Sequence, residues 1–335
     1  MRKMINKPEN FVDETMEGII CAYGDRVKLL DGDKRVLVTN YPVQKGKVGI
    51  VTAGGSGHLP VFLGYVGQGM LDGCAIGNVF ASPSAQKMAD MIKACDYGSG
   101  VLCLYGNYGG DKMNFAMACE LADFDDVETR QVLVTDDVCS SPKETADRRR
   151  GVAGMVYAFK VAGAAAEKMM SLDEVAAVAQ KALANIRTMG VALTPCIVPE
   201  VGKPTFSIKD DEIELGMGIH GEPGIEVRKM MTADEIAETL LAKITEDMPL
   251  AKGDEVSVMV NGLGATPLEE QLIVYRRLHA LLTDMGVTVF MPHVGEFATS
   301  MEMAGLSVTV FKLDDQLKEL LRSPASTPFY TNANK

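Results

Sequence analysis

Apolar and polar positions along this chain change period several times, and the changes mark out its elements. Ile213, Leu215, Met217 and Ile219 alternate with polar or glycine residues, the period-two pattern of a half-buried strand. Ile236, Leu240, Leu241 and Ile244 recur instead at helical spacing behind Thr232-x-x-Glu235, a capping-box signature. Short apolar runs at 47–52, 101–105 and 132–135 each lead into a glycine-rich or acidic turn. Residues 256–260 do the same, ahead of a helix carrying Leu272, Leu278, Leu281, Leu282 and Met285, and further strands are expected at 287–291 and 308–313. The alternation predicts an α/β fold of helix-covered sheets, with turns at the carboxyl ends of the strands forming a rim where ligands bind.

Residues 151–170 are rich in alanine and glycine, which predicts a tightly packed helix. A second helix should open at the capping box Ser171-x-x-Glu174 and run to about Arg187. After Gly190 the texture changes, with Pro195, Pro199 and Pro204 close together and Gly202 between them, the pattern of an interdomain crossing. The expected division is therefore an N-terminal α/β domain over 1–188 and a C-terminal α/β domain over 189–335. The polar tail after Ser323 is expected to be loosely held.

Composition narrows the function classes. At 47% hydrophobic and 23% charged residues the chain is globular. Its longer apolar stretches are broken by charge and glycine, and it does not open on a basic segment followed by an apolar block, so neither a membrane partner nor a secretory signal is expected. A net charge of -12 argues against nucleic acid as the partner. Seven cysteines without a C-x-x-C pair suit reduced thiols in a cytoplasmic protein and argue against a zinc site. A small molecule or another protein is the expected partner.

Several turns carry candidate chemistry. Gly218-Ile219-His220-Gly221-Glu222-Pro223-Gly224 places a histidine among glycines, where it either hydrogen-bonds its own loop or faces a small ligand. By the strand alternation His220 falls on the face shared with Gly216 and Gly218. Gly54-Gly55-Ser56-Gly57-His58 reads as a glycine turn able to present N–H groups to an anion, although it lacks the Lys-Ser/Thr of a phosphate loop. His58 precedes Leu59-Pro60, where a helix start is expected, and is either packed at that entry or a neutral proton relay. Asp111, after Gly109-Gly110, is either a helix N-cap or a general base in a glycine-lined pocket. Asp136-Asp137 raises the possibility of a magnesium site, but neighbours on an extended segment point opposite ways, and a solvated pair is the expectation.

Taken together these residues resemble the substrate-binding K subunits of the dihydroxyacetone kinases, the DhaK family. The resemblance is carried by Gly-Gly-Ser-Gly-His at 54–58, Gly-Tyr-Val-Gly at 64–67, Phe-Ala-Ser-Pro-Ser at 80–84, Asn-Tyr-x-Gly-Asp at 107–111 and Asn114-Phe115. It continues through Gly163-Ala-Ala-Ala-Glu167, Arg187-Thr-Met-Gly-Val-Ala192, Gly202-Lys-Pro204, the 218–224 turn and Asn261-Gly-Leu-Gly264 with Thr266-Pro-Leu268.

The resemblance implies that His220 binds a short ketose covalently as a hemiaminal. His58 and Asp111 would assist, Asp111 as base for the hydroxyl that receives the phosphoryl group, with Gly55, Ser56, Gly57, Gly106, Gly109 and Gly110 lining the substrate. It also implies a homodimer and a separate all-helical L subunit that holds ATP or ADP with magnesium, leaving no cofactor or metal on this chain. With 335 residues there is no room for that L domain, so a two-component kinase fed by ATP or by a phosphotransferase-system donor is expected. Leu59 stands where the family usually has glutamate, and Gly106 and Gly109 replace its lysine and threonine, which makes a four-carbon ketose such as erythrulose a candidate beside dihydroxyacetone. The alternative function is a ketose sensor that instructs a transcription regulator, and retention of Asp111 favours the enzyme.

Overall fold

The short apolar runs become neighbouring strands because each is flanked by glycine or by a polar turn that ends it. In the computed structural model, which describes residues 2–333, β1 (Val27–Leu30), β2 (Asp33–Thr39), β3 (Gly49–Ser56), β4 (Gly73–Val79), β5 (Val101–Gly106) and β6 (Thr129–Val134) form one sheet in the order β1-β2-β4-β3-β5-β6. β4, β3, β5 and β6 are parallel, so their carboxyl ends share an edge, while β1 and β2 pair antiparallel. Among the helices, α1 (Phe11–Tyr23) lies against β1 and β2. Val36, Val51, Ala53, Ala75, Cys103 and Tyr105 form a core with α2 (Ala85–Ala94) and α3 (Gly109–Asp123). α4 (Met155–Glu167) contacts β3 and β5, and α5 (Leu172–Ala184) follows.

The small residues of α4 have a packing reason: a Cβ on Gly163 would lie 2.5 Å from the Met70 Cα. α5 opens on the expected box, Glu174 accepting from the Ser171 backbone at 2.8 Å. It ends at Ala184, short of the expected Arg187.

The second sheet starts where that helix had been expected to finish. β7 (Ile186–Thr194), β8 (Glu212–Leu215), β9 (Glu226–Lys229), β10 (Glu255–Gly262), β11 (Thr288–Val289), β12 (His293–Gly295) and β13 (Ala304–Leu313) form it in the order β11-β10-β13-β7-β8-β9, with β12 also on β10. One face carries Val191, Ile213, Val256, Val258, Val260, Val308 and Val310 and packs on α6 (Ala233–Asp247) and α7 (Leu268–Asp284). α6 has the expected capping box of Thr232 and Glu235. On α7 the buried positions are Gln271, Val274, Leu278 and Leu282, whereas Leu272 and Met285 are exposed. α8 (Asp315–Arg322), β14 (Ala325–Ser326) and β15 (Thr331–Asn332) complete the chain, and the tail is tied down: Lys160 Nζ donates to the Leu320 carbonyl, and Thr327 Oγ1 to the Gly64 carbonyl, each at 2.8 Å.

Two α/β units result, but they are not the consecutive halves 1–188 and 189–335. Among the described residues, the first comprises 2–134, 155–182 and 317–333, and the second 135–154 and 183–316. The chain leaves the first unit at the end of β6 and returns for α4 and α5. The expected boundary at 188/189 falls inside β7, which is paired on both sides by β13 and β8, and the supposed crossing at Pro195, Pro199 and Pro204 follows that strand within the second unit. Among the described residues no helix is long and apolar enough to cross a membrane.

Candidate active site

In the first unit, β3 carries the chain through Ser56, Gly57 turns it at φ +97°, and His58 follows almost completely buried. Phe80 stacks on the His58 ring at 4.8 Å between centroids, and Phe62 meets it edge-on at 6.0 Å. Both phenylalanines have positive φ, +72° for Phe62 and +58° for Phe80, a backbone choice that costs about 1–3 kcal/mol for a bulky residue. Two glycines make the arrangement possible. A Cβ on Gly54 would overlap the Phe62 ring, and one on Gly55 would come within 2.6 Å of the Ala81 nitrogen. Gly54 and Gly55 therefore lie inside a strand and let aromatic residues close on it, where an anion-cradling turn had been expected. The expected helix start after His58 is also absent: Leu59-Pro60 is a cis peptide, and the chain continues through turns into a single 3₁₀ turn at Leu63–Tyr65. The Ser56 hydroxyl is buried without a protein hydrogen-bond partner.

Asp111 sits at the same edge of the sheet, on the turn after β5. α3 begins at Gly109 and its N-cap position is Tyr108, so Asp111 is the third helical residue and does not act as the N-cap. Its carboxylate, 5% exposed, is placed in the first turn, where the helix dipole favours negative charge. The segment that supplies Phe80 also reaches this helix. A Cβ on Gly110 would lie 2.6 Å from Ser82 Oγ, and Asn114 Nδ2 donates to the Pro83 carbonyl at 2.7 Å. Residues 80–83 thus link the surroundings of His58 to those of Asp111. Gly109 has open space where a side chain would begin, whereas a Cβ on Gly106 would press on the Tyr108 ring at 3.0 Å.

His220 belongs to the second unit. β8 stops at Leu215, because Gly216 takes φ +79° and breaks the alternation expected through Ile219, although Met217 and Ile219 remain buried. The turn closes through Gly218 N to the Glu222 carbonyl and Gly221 N to the Gly218 carbonyl, both 3.0 Å. Glu222 then folds back on the histidine. One carboxylate oxygen accepts from the His220 backbone at 3.0 Å, and the other lies 2.8 Å from His220 Nδ1. The carboxylate therefore engages both the backbone and the Nδ1 of this histidine. Burial works against ionisation of Glu222, but the His220 hydrogen bond and the charges of His220 and Arg150 prevail and hold its pKa at about 2.

Sequence reasoning gave no role to Glu222, Arg150, Phe62 or Phe80, although Glu222 and Phe80 lie within motifs it singled out. It also misread Asp136 and Asp137, which are buried and fully engaged where a solvated pair had been expected. Asp136 accepts from Val152 N and Gly154 N at 2.8 Å and from the Thr188 hydroxyl at 2.5 Å. Asp137 accepts from Cys139 N at 3.0 Å and from Arg150 Nε at 2.9 Å. Both carboxylates thus anchor the loop that carries Arg150. The available signal was the triple Arg148-Arg149-Arg150, a run of cations that needs carboxylate partners wherever it is buried.

Residues 17–329 match the family model of the Dak1 domain. The chain is 44% identical over 330 residues to a PTS-dependent dihydroxyacetone kinase, dihydroxyacetone-binding subunit DhaK, of Listeria innocua, covering 98% of this chain and 99% of that one. It is 41% identical over 334 residues to an L-erythrulose kinase of Pectobacterium atrosepticum, covering 98% of this chain and 56% of that longer protein. Among solved structures, a dihydroxyacetone kinase operon co-activator superposes with a TM-score of 0.89 at 31% identity, over 96% of this chain and 98% of the other. The match over nearly the whole length, together with the two α/β units and the histidine-bearing turns, makes this chain a member of the Dak1 family, the family of the DhaK subunits.

Proposed function

We propose that this chain is the ketose-binding subunit of a two-component kinase and holds its substrate as a hemiaminal on His220. The observation that carries the reading is the His220 turn, in which a glycine-flanked imidazole has Nδ1 bound to a carboxylate, so that Nε2 is the ring nitrogen assigned to the chemistry. In the first step Nε2 attacks the ketone carbon, and the carbonyl electron pair moves onto oxygen, which takes a proton from His58. A polyol without a carbonyl cannot form this bond, so selection rests on reactivity as well as shape. Asp111 then accepts the proton of the primary hydroxyl as that oxygen takes the phosphoryl group. Gly55, Ser56, Gly57, Gly106, Gly109 and Gly110 line the ketose, with the Ser56 hydroxyl as a hydrogen-bonding group.

The phosphoryl group comes from a separate helical L subunit, which holds ATP or ADP with magnesium and is fed by ATP or by a phosphotransferase-system donor. The names of the L. innocua subunit and the P. atrosepticum kinase support dihydroxyacetone and erythrulose as the candidate ketoses. A cytoplasmic homodimer completes the proposal. The likeness to an operon co-activator supports a second reading, a ketose sensor. Asp111 separates the two, because a sensor needs the hemiaminal but no base. Asp111→Asn should still load the ketose and lose about 10²–10⁴-fold in phosphoryl transfer when the L subunit is supplied. Transfer at the wild-type rate would remove Asp111 from the mechanism, and absence of transfer by the wild type with its cognate L subunit would favour the sensor.

A further inference from the structure

Arg150 is the hub of a set of charges beneath the His220 turn. Its Nη2 lies 2.7 Å from Asp137 Oδ2 and donates to the Gly216 carbonyl at 2.9 Å, its Nε donates to Asp137 Oδ2 at 2.9 Å, and its Nη1 is 3.9 Å from Glu222 Oε2. Asp137 is buried, with Cys139 N on its other oxygen. The guanidinium is thus fixed at one end by Asp137 and presents its other end to Glu222. Glu222 in turn spans two atoms of one residue, the backbone N–H and the ring Nδ1 of His220.

Gly218 shows how tightly this set is built, since a Cβ there would overlap both Glu222 Oε2 and Arg150 Nη1. This glycine, two residues before the histidine, makes room for the carboxylate and the guanidinium, in addition to any space it leaves for a ligand.

We infer that Glu222, braced by Arg150 and Asp137, is a positioning residue that selects the His220 tautomer, keeping the proton on Nδ1 and the lone pair on Nε2. A carboxylate is acceptor-only, so the ring atom facing it must be the N–H, and the other nitrogen is left unprotonated. The inference rests on the hemiaminal reading for its consequence but not for its geometry. When Nε2 bonds to the ketone carbon, the ring becomes an imidazolium that still carries the Nδ1 proton. The new alkoxide takes up one proton, and the imidazolium is held as an ion pair with Glu222, whose carboxylate stays ionised. Glu222 therefore serves the forward step twice, first by fixing the tautomer and then by stabilising the imidazolium that bond formation creates.

Glu222→Gln is the discriminating variant because it preserves size and has only one acceptor oxygen. If that oxygen keeps the His220 backbone N–H, the amide N–H₂ faces Nδ1 and forces the ring proton onto Nε2, where it blocks attack. The experiment labels histidine with ¹⁵N and reads the ring shifts of His220 in the ligand-free protein, assigned with His220→Gln, alongside the rate of adduct formation with dihydroxyacetone by intact mass. The wild type should show Nδ1 protonated. Glu222→Gln should move the proton to Nε2 and slow adduct formation about 10–100-fold, with a melting profile that confirms folding. Arg150→Met should shift the tautomer balance in the same direction with Glu222 intact. An unchanged tautomer and rate in Glu222→Gln would overturn the inference. If the wild type forms no adduct at all, the hemiaminal reading fails, and the ring shifts alone then decide the role of Glu222.

Discussion

His58 is fixed by two aromatic rings and close-packed glycines, whereas His220 is fixed by a carboxylate that is itself anchored to an arginine and a second carboxylate. The first arrangement is steric. It depends on volume and on two phenylalanines held at positive φ, and it changes little with salt. The second is electrostatic and depends on charge count and ionisation. Two histidines of one protein are thus oriented by different forces, and substitutions that destroy one arrangement should leave the other largely intact.

The largest expected effect lies on the electrostatic side. Asp247 pairs with Arg149 at 2.5 Å and also with Arg187, and so secures the residue next to Arg150. Asp247→Asn would leave buried guanidinium charge unpaired, which costs about 3–5 kcal/mol. Burial opposes ionisation of Asp247, but the two arginines hold its pKa at about 2, below the ordinary 3.8. A carboxylate depressed in this way stabilises the fold above its unfolded pKa, and that contribution fades as pH falls through the folded value. The stability gap between wild type and Asp247→Asn, measured by denaturant melts, should therefore be full above pH 4 and narrow as pH falls towards 2. A gap that stays constant across that range would contradict the electrostatic account.

On the steric side, Gly54→Ala places a methyl group against the Phe62 ring and should cost about 1–3 kcal/mol by overpacking. Thermal melts of this variant should respond to salt as the wild type does, and adduct formation should slow because Phe62 packs on His58. A stability unchanged from wild type would show that the ring moves freely and that His58 is not held by it.

The smallest effect concerns substrate size. Gly109 has open space for a side chain, so Gly109→Thr adds one without displacing a neighbour, whereas a lysine at Gly106 would first have to move Tyr108. Added volume beside Asp111 should lower kcat/KM for erythrulose relative to dihydroxyacetone by a factor of about 10, since one carbon group is worth about 1–3 kcal/mol. An unchanged ratio, with the cognate L subunit present, would mean that Gly109 does not set the preference.

Much of the fold was legible because apolar runs and capping boxes are local: β3, β5 and β6, α4, and the boxes at Ser171 and Thr232 all follow from residues a few positions apart. The division into units was not, because residues 135–154 leave the first unit and later segments return to it. β7 escaped notice for a related reason. Its Gly190 and mixed pattern resemble a linker until β13 and β8 supply partners on both sides. His58, Asp111 and His220 stood out as polar residues beside glycines. The groups that hold them did not, since Phe80 is 22 positions from His58 and Arg150 is 72 from Glu222, and only folding brings each pair together.

The central claim is the bond between His220 and a ketone carbon, and intact-mass spectrometry under non-denaturing conditions tests it most directly. Incubation of the wild type with dihydroxyacetone or erythrulose should add the mass of one ketose per chain, lost again on dilution, and His220→Ala should add none. An adduct of the same mass and amount on His220→Ala would place the nucleophile elsewhere and contradict the account.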